Sequence, residues 1–111
     1  MVNTATSEIA EPPDLSAIDI ATVLHALSDP VRLEIVRQLA QTGEGGEMTC
    51  GQFELPVGKS TCSHHLKTLS CAGVIADREE GTRKYIRLRR GELERRFPGV
   101  VESVLRAAGT G

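Results

Sequence analysis

From Leu15 onwards, apolar residues recur at the spacing of an amphipathic helix. Leucine, isoleucine or valine occupies positions 15, 18, 20, 23, 24 and 27, and spacings of three and four residues recur among them. Asp14 or Ser16 would cap the start of this first helix. Ser28-Asp29-Pro30 would end it and begin a second helix, because proline is favourable in a first helical turn.

Three more helical segments follow from the same kind of pattern. The second helix has an apolar stripe of Leu33, Val36 and Leu39 or Ala40, with Ile35 beside it, and the glycine-rich residues 43–46 end it. Thr49 would cap a short third helix with Phe53 and Leu55 as its apolar contacts. A fourth helix is predicted from about Lys59 to Ala72, and Gly73 stands where a terminating glycine is expected.

An alternating stretch then predicts a two-stranded hairpin. Val74-Ile75 begins extended chain, residues 79–82 form a turn, and Ile86 and Leu88 share one face of the return strand. A last helix begins near Gly91, is interrupted around Pro98 and resumes through an apolar stretch of Val100, Val101, Val104, Leu105 and Ala108. The expected fold is mainly α with a β-hairpin wing, in the order helix, helix, helix, helix, hairpin, helix. One domain at 14–108 would lie between a flexible N-terminal tail at 1–13 and a short C-terminal tail at 109–111.

The distribution of charge along the chain changes the picture more than its total does. The 111 residues carry a formal net charge of −2, which by itself argues against nucleic acid as a partner. Residues 1–57 hold nine acidic and two basic residues, a charge of −7, whereas residues 58–111 hold eleven basic and six acidic residues, a charge of +5. Such asymmetry indicates a charged partner for one part of the molecule, although solvated faces also produce such splits by chance.

The fourth helix presents a polar face that suits a DNA groove. Cys62, Leu66, Leu69 and Gly73 fall on its core side, with Thr61 and His65 at the flanks, and Ser60, Ser63, His64 and Lys67 lie opposite. There is no acidic residue between Lys59 and Ala72 that phosphate would repel, and these side chains can reach base edges or backbone. The alternative is a polar surface helix whose lack of acids is accidental.

A run of basic residues follows this helix in the hairpin. Arg78, Arg83, Lys84, Arg87, Arg89 and Arg90 stand near its tip and return strand, although Glu79 and Glu80 dilute them. A hairpin of this kind can place cations on phosphate or in the minor groove. The predicted DNA-binding residues are Lys59, Ser60, Thr61, Ser63, His64, Lys67, Arg78, Thr82, Arg83 and Lys84.

Three stretches of the chain carry a family resemblance. LSDPVRLEIVRQLA (27–40), GKSTCSHHLKTLSCAGVI (58–75) and REEGTRKYIRL (78–88) resemble the ArsR/SmtB-type winged helix-turn-helix repressors. The similarity covers about residues 18–105, and its most specific pieces are Asp29-Pro30-x-Arg32-Leu33 and Ser63-x-His65-Leu66-x-x-Leu69-x-x-Ala72-Gly73. The resemblance implies that the fourth helix is the recognition helix, that Gly81 turns the wing, and that the first and last helices form a two-fold dimer interface.

The apolar residues of those two helices also exceed what one small domain needs to cover. The predicted homodimer interface consists of Ile20, Val23, Leu24, Leu27, Val100, Val101, Val104 and Leu105. A two-fold dimer would present its recognition helices to successive major grooves about 34–36 Å apart, so the expected partner is double-stranded DNA with an inverted repeat. The expected function is that of a homodimeric repressor released by an effector. Arg32 is expected to be structural, and His65 is expected to be packed at the edge of the core.

The effector stays open at the level of sequence. Family metal sites use Cys-x-Cys at the start of the third helix, or Asp and His in the last helix. The first region here holds only Cys50, and the last helix has no His, Cys or Asp, so no metal and no cofactor is expected. A repressor that responds to thiol chemistry or metal through Cys50, Cys62 or Cys71 stays the alternative. Cys62 is interpreted as a core hydrophobe too far from Cys71 to bridge within one helix, so a thiol sensor would need a partner cysteine across the dimer.

Other classes of function fit the sequence less well. A winged-helix module for protein–protein contacts would keep the fold, but the basic wing argues against it. A cysteine enzyme needs a base and an orienting group, and Cys62 and His65 lack an orienting acid, so no enzyme and no catalytic residue is expected.

No apolar run approaches the ~18 residues of a membrane span, and residues 1–13 do not resemble a secretory signal. The odd number of cysteines fits a reducing, cytoplasmic setting.

Overall fold

The computed structural model describes residues 13–43 and 45–109. Its helices are α1 (Ile20–Leu27), α2 (Pro30–Gln41), α3 (Lys59–Cys71), α4 (Arg90–Arg96) and α5 (Val100–Gly109), and its strands are β1 (Glu47–Thr49), β2 (Ile75–Glu80) and β3 (Arg83–Leu88). Two single turns of 3-10 helix, Leu15–Ala17 and Cys50–Gln52, complete the order. The predicted tails lie outside the described residues apart from Pro13 and Gly109, so the domain limits at 14 and 108 stay a prediction. None of the helices in the described part is long and apolar enough to cross a membrane.

The predicted first helix is in fact two elements. Asp14 caps only the 3-10 turn, where its carboxylate accepts a hydrogen bond from the backbone N–H of Ser16 at 3.0 Å. Ile18 and Asp19 then take extended backbone angles, and α1 begins at Ile20. Asp19 is the cap of α1, because its carboxylate accepts from the backbone N–H and the hydroxyl of Thr22 at 2.9 and 2.8 Å. The prediction of one continuous helix capped by Asp14 or Ser16 is therefore wrong.

The second helix, α2, begins and ends as predicted. The Asp29 carboxylate accepts from the backbone N–H groups of Val31 and Arg32 at 2.9 and 3.1 Å, and Pro30 occupies the first turn. These backbone donors hold the pKa of Asp29 below its ordinary value. The buried stripe consists of Ile35, Val36 and Leu39, whereas Leu33 is only half-buried. This stripe places α2 at the centre of the fold, where it packs against α1, α3, α5 and β3.

The predicted short third helix is a strand followed by a single 3-10 turn. Residues of β1 pair antiparallel with β3, with Met48 opposite Ile86 and Thr49 opposite Tyr85. The sheet therefore has three strands in the order β1-β3-β2 rather than the two of a simple hairpin. Thr49 stands at the start of the 3-10 turn as predicted, and its backbone N–H donates to the Gln52 side chain at 2.8 Å. Only the β2–β3 end projects as a wing, turned at Gly81–Thr82 with Glu79 and Glu80 inside β2.

Two glycines with positive φ set the geometry around α3. Gly73, with φ of +81°, ends the helix, and Gly81, with φ of +65°, lies in the turn of the wing. A side chain at position 73 would also be crowded, because a Cβ there would lie 2.6 Å from Leu15 Cδ2 and 2.8 Å from Ile18 Cδ1. Gly73 thus lets the N-terminal 3-10 turn pack against the point where α3 passes into the sheet.

We expect Gly73→Ala to lower the free energy of unfolding by about 1–3 kcal/mol, because alanine is strained at this φ and its methyl group would meet Leu15 and Ile18. Urea unfolding followed by circular dichroism measures the change. Gly51→Ala is the matched control, since Gly51 has no positive φ and a Cβ there would have no heavy atom within 4 Å. Equal stability of the two variants would contradict this role for Gly73.

Candidate nucleic-acid interface

The polar face of α3 is exposed along its whole length. Lys59, Ser60, Thr61, Ser63, His64 and Lys67 are all exposed, whereas Cys62, Leu66 and Leu69 on the opposite side are buried. The prediction of which side of this helix faces the core is confirmed. Because α3 contains no acidic residue, its outer surface offers hydroxyl, imidazole and ammonium groups without a carboxylate that phosphate would repel.

The wing lies beside α3 and carries exposed cations at its turn. Thr82, Arg83 and Lys84 are exposed where β2 passes into β3. The Nζ atom of Lys84 lies 3.7 Å from a carboxylate oxygen of Asp77 on the paired strand. Within residues 13–43 and 45–109, Arg83 has no carboxylate within ion-pair distance. Arg83 is therefore a cation at the tip of the wing that forms no ion pair in this part of the chain, although Glu80 is its partner on the opposite strand.

Arg78, also predicted to contact DNA, is held by two carboxylates. Its Nε and one terminal nitrogen donate to the two oxygens of Glu47 at 2.8 and 2.9 Å, and the other terminal nitrogen donates to Glu80 at 2.7 Å. The guanidinium also lies 4.6 Å from the ring centroid of Tyr85. Hydrogen bonding to Arg78 lowers the pKa of Glu47, so the pair stays ionised at neutral pH. The carboxylates offset the charge that Arg78 would offer to phosphate.

Two other arginines of the predicted basic run do not belong to the wing surface. Arg89 is buried, with 4% of its surface exposed; it donates to both oxygens of Glu92 at 3.0 and 3.2 Å and to the carbonyl oxygen of Pro13 at 2.8 Å. Arg90 donates to both oxygens of Glu102 at 2.7 and 2.9 Å and so joins α4 to α5. The interpretation of Arg89 and Arg90 as part of a basic hairpin surface is therefore wrong. Arg89 joins the start of α4 to the N-terminal segment at Pro13, and Arg90 joins the two C-terminal helices to each other.

The orientation of α3 depends on a junction of Arg32, His65 and Asp29. Arg32 Nε donates to the carbonyl oxygen of Ala26 at 2.7 Å, near the end of α1. One terminal nitrogen of Arg32 lies 3.3 Å from His65 Nδ1 on α3, and the same imidazole nitrogen is 3.8 Å from Asp29. Arg32 therefore joins the end of α1, the start of α2 and the middle of α3. The expectations that Arg32 is structural and that His65 is packed at the core edge are confirmed.

The eight apolar residues predicted for a dimer interface divide into two groups. Val23, Leu27 and Val101 are 0%, 5% and 3% exposed, so they lie in the chain's own core. A second copy could not cover these side chains further, and their assignment to an interface is corrected. Ile20 and Leu24 are 38% and 46% exposed, and they are the large apolar side chains exposed in the described part of the chain. Val100, Val104 and Leu105 on α5 are half-buried.

The cysteines are arranged differently from the expectation. Cys62 is buried as predicted, Cys71 is exposed, and Cys50 is half-buried. The Sγ atoms of Cys50 and Cys62 lie only 3.8 Å apart, so Cys62 has a cysteine neighbour within its own chain. The expectation that a thiol pair requires the partner copy is therefore wrong. Among residues 13–43 and 45–109, no three His, Cys, Asp or Glu side chains converge as a metal site would require.

Comparisons with known proteins agree with this arrangement. The family model described as a helix-turn-helix domain matches residues 27–78. The uncharacterized HTH-type transcriptional regulator YceK of Bacillus subtilis is 37% identical over 86 residues, which cover 76% of this chain and 84% of that protein. Among solved structures, the transcriptional repressor BigR from Xylella fastidiosa superposes with a TM-score of 0.63 at 27% identity, over 82% of this chain and 83% of that one.

A solution structure from Mycobacterium bovis adds the dimeric form of the fold. The fragment 1–100 of Mb0332, described as a homodimeric winged helix-turn-helix DNA-binding domain and a possible ArsR-family regulator, is similar to this chain. Its TM-score is 0.56 and its sequence identity 30%, over 82% of this chain and 72% of that one. The homodimer is a property of that protein.

We expect Arg32→Lys to lower the free energy of unfolding by about 1–3 kcal/mol, because a lysine cannot reach the α1 carbonyl and His65 at once and leaves a hydrogen-bonding group unpaired. Urea unfolding at a fixed protein concentration measures this. Arg37→Lys on the same helix is the matched control, since its pair with Glu34 is partly exposed and does not join helices. A loss of stability no larger than that of the control would refute the role of the junction.

Proposed function

The chain belongs to the ArsR-type winged helix-turn-helix transcriptional regulators, which bind DNA, and from this we propose that it is a homodimeric repressor of an inverted-repeat operator, released by an effector. The observation that carries the proposal is the exposed, acid-free face of α3 beside the exposed cations of the wing. In this arrangement α3 reads base edges in the major groove while the wing contacts phosphate.

The proposed dimer is supported by the apolar surface left on α1 and α5. Ile20 and Leu24 are exposed to an extent that is unfavourable in water, and Val100, Val104 and Leu105 are incompletely covered. A two-fold axis near these helices would give two copies of α3 in one complex, and each would meet one half-site of a palindrome. The fold and family are those of transcription factors, so we assign no catalytic activity, and we place the protein in the cytoplasm with its DNA.

The charge distribution supports a selective mode of binding. Residues 1–57 carry −7 and residues 58–111 carry +5, so only the part that contains α3 and the wing attracts phosphate. Within that part, carboxylates already offset Arg78, Arg89 and Arg90. Affinity would then depend on the fit of two recognition helices to their half-sites more than on bulk electrostatic attraction.

The direct test is a fluorescence anisotropy titration of the full chain with duplex DNA from upstream of its own coding region. We expect binding that exceeds binding to a shuffled duplex of equal length. It should weaken between about 50 and about 200 mM salt, because the release of counterions from DNA is less favourable at higher salt. Equal affinity for both duplexes would remove sequence specificity from the proposal. An absence of binding at low salt would instead favour a winged-helix module for protein–protein contacts.

We expect His64→Ala to weaken binding to the upstream duplex by about 1–3 kcal/mol, the range for loss of one good base contact, and to leave binding to the shuffled duplex nearly unchanged. The reason is that His64 is exposed at the middle of the acid-free face. Gln41→Ala is the control, because Gln41 is an exposed polar residue at the end of α2, outside this face. Equal losses on both duplexes would contradict a base-reading role.

We expect Arg83→Ala to weaken binding to both duplexes alike and to reduce the slope of log affinity against log salt by about 1, as for one lost phosphate contact. Arg95→Ala is the charge-matched control, because it removes one exposed cation from α4, outside the wing, and should change the slope less. A slope that Arg83→Ala leaves unchanged would remove this residue from the DNA contacts.

A further inference from the structure

A pair of thiols lies beneath the DNA-reading face of α3. Cys50 begins the 3-10 turn after β1, and Cys62 lies on the core side of α3 near its N-terminal end. Their Sγ atoms are 3.8 Å apart, which is van der Waals contact for two sulfur atoms. No third ligand accompanies them in the described residues to make a metal site of the usual three or four donors.

We propose that Cys50 and Cys62 form a reversible disulfide within one chain, and that its formation lowers the affinity of the protein for its operator. The consequence for DNA rests on the function proposed above, whereas the disulfide itself does not. Oxidation would then be the signal that releases this repressor, through two cysteines of the chain itself rather than through a metal or a partner copy.

The two thiols differ in a way that assigns their roles. Cys50 is half-buried and lines a surface groove together with Ser63, Lys67 and Lys84, so a small polar oxidant can reach it. Cys62 is buried, with 5% of its surface exposed. Burial and the neighbouring Cys50 raise the pKa of the Cys62 thiol to about 11, so it remains protonated at neutral pH. Cys50 is therefore the thiol that reacts with the oxidant, and Cys62 is the resolving thiol.

The chemistry balances with a hydroperoxide as the oxidant, for which hydrogen peroxide is the simplest case. The Cys50 thiolate attacks one peroxide oxygen, the O–O bond breaks, and the departing hydroxide takes up a proton as water, which leaves Cys50 as a sulfenic acid. The Cys62 sulfur then attacks the Cys50 sulfur and the S–O bond breaks. The hydroxide that leaves takes the Cys62 proton as a second molecule of water.

In the proposed switch, formation of the bond draws the N-terminal part of α3 toward the 3-10 turn that begins at Cys50. The sulfur atoms have to approach from 3.8 Å to about 2.05 Å. Cys62 stands directly between Thr61 and Ser63 of the exposed face, so a shift of its backbone also moves these side chains. Hydrogen bonds to bases tolerate only a few tenths of an ångström around their 2.7–3.2 Å range. A displacement of an ångström or more would therefore separate the face from the groove.

Cys71 provides an internal comparison. It is exposed at the C-terminal end of α3, nine residues after Cys62, which corresponds to about 13.5 Å along the helix axis. An intramolecular bond between Cys62 and Cys71 is excluded by that distance. Cys50 and Cys71 line the same groove, so Cys71→Ser removes a competing bond between these two as well as crosslinks between chains, and leaves the proposed pair intact.

The experiment uses the full Cys71→Ser chain with a metal chelator present, before and after treatment with hydrogen peroxide. Thiol titration and mass spectrometry of the intact and digested protein identify the product, and anisotropy measures its affinity for the upstream duplex. We expect two thiols to disappear with a loss of two hydrogen masses, a peptide pair joining Cys50 to Cys62, and a fall in affinity of about tenfold or more. Dithiothreitol should restore both thiols and binding.

Two variants separate the disulfide from other effects of oxidation. Cys50→Ser and Cys62→Ala, each in the Cys71→Ser background, should bind DNA when reduced and should keep that affinity after peroxide treatment. Cys50→Ser is the variant that is expected to fold even if Cys62→Ala does not, because Cys50 is only half-buried. Its single remaining thiol should survive peroxide, since Cys62 is buried.

Three results would overturn the proposal: two thiols that persist after treatment, sulfinic acid at Cys50 without a bond to Cys62, or a disulfide that joins two chains. A Cys50–Cys62 bond that forms without a change in DNA affinity would refute the switch but not the bond. If the reduced protein fails to bind the upstream duplex at all, the proposed function fails, and mass spectrometry still decides whether the disulfide forms.

Discussion

The guanidinium of Arg32 joins α1 to α3, the helix proposed to read DNA. It binds the carbonyl oxygen of Ala26 at 2.7 Å and lies 3.3 Å from His65 Nδ1, so the end of α1 and the middle of α3 are attached to the same side chain. Asp29 caps the helix that carries Arg32 and approaches the same imidazole at 3.8 Å. A buried stripe on α3 packs against the core beside this junction. The opposite face of α3 therefore faces solvent.

Much of this architecture follows from local sequence, and the exceptions have physical causes. Periodicity and caps predicted α2, α3, the hairpin and the interrupted C-terminal helices, because their stripes and glycines act over a few residues. β1 was not predicted because a strand of three residues is too short to show an alternation of apolar and polar positions. It forms by pairing with β3. The break before α1 was not predicted because apolar residues continue from Leu15 through Ile18 to Ile20. The Asp19 side chain nevertheless caps a new helix there. Burial of Val23, Leu27 and Val101 depends on tertiary packing.

The candidate interface shows the same division. The exposed face of α3 could be predicted, since its composition and its angular position on the helix are both local properties. The effective charge of the predicted basic run could not be predicted, because Glu47 on β1 pairs with Arg78, and Glu92 and Glu102 on α4 and α5 pair with Arg89 and Arg90. β1 also brings Cys50 to Cys62. β1, which the sequence did not predict, therefore accounts for the offset charge of Arg78 and for the position of Cys50 beside Cys62.

In the proposed complex, two copies of α3 related by a two-fold axis enter successive major grooves of one operator. The sharpest test is hydroxyl-radical footprinting on the DNA upstream of the chain's own coding region. It uses the full Cys50→Ser, Cys71→Ser chain, because the radicals are generated with peroxide and this variant cannot form the proposed disulfide. We expect two protected blocks with centres about 34–36 Å apart, one turn of the double helix, on half-sites related by a palindrome. A single protected block, or uniform protection without a palindrome, would contradict it.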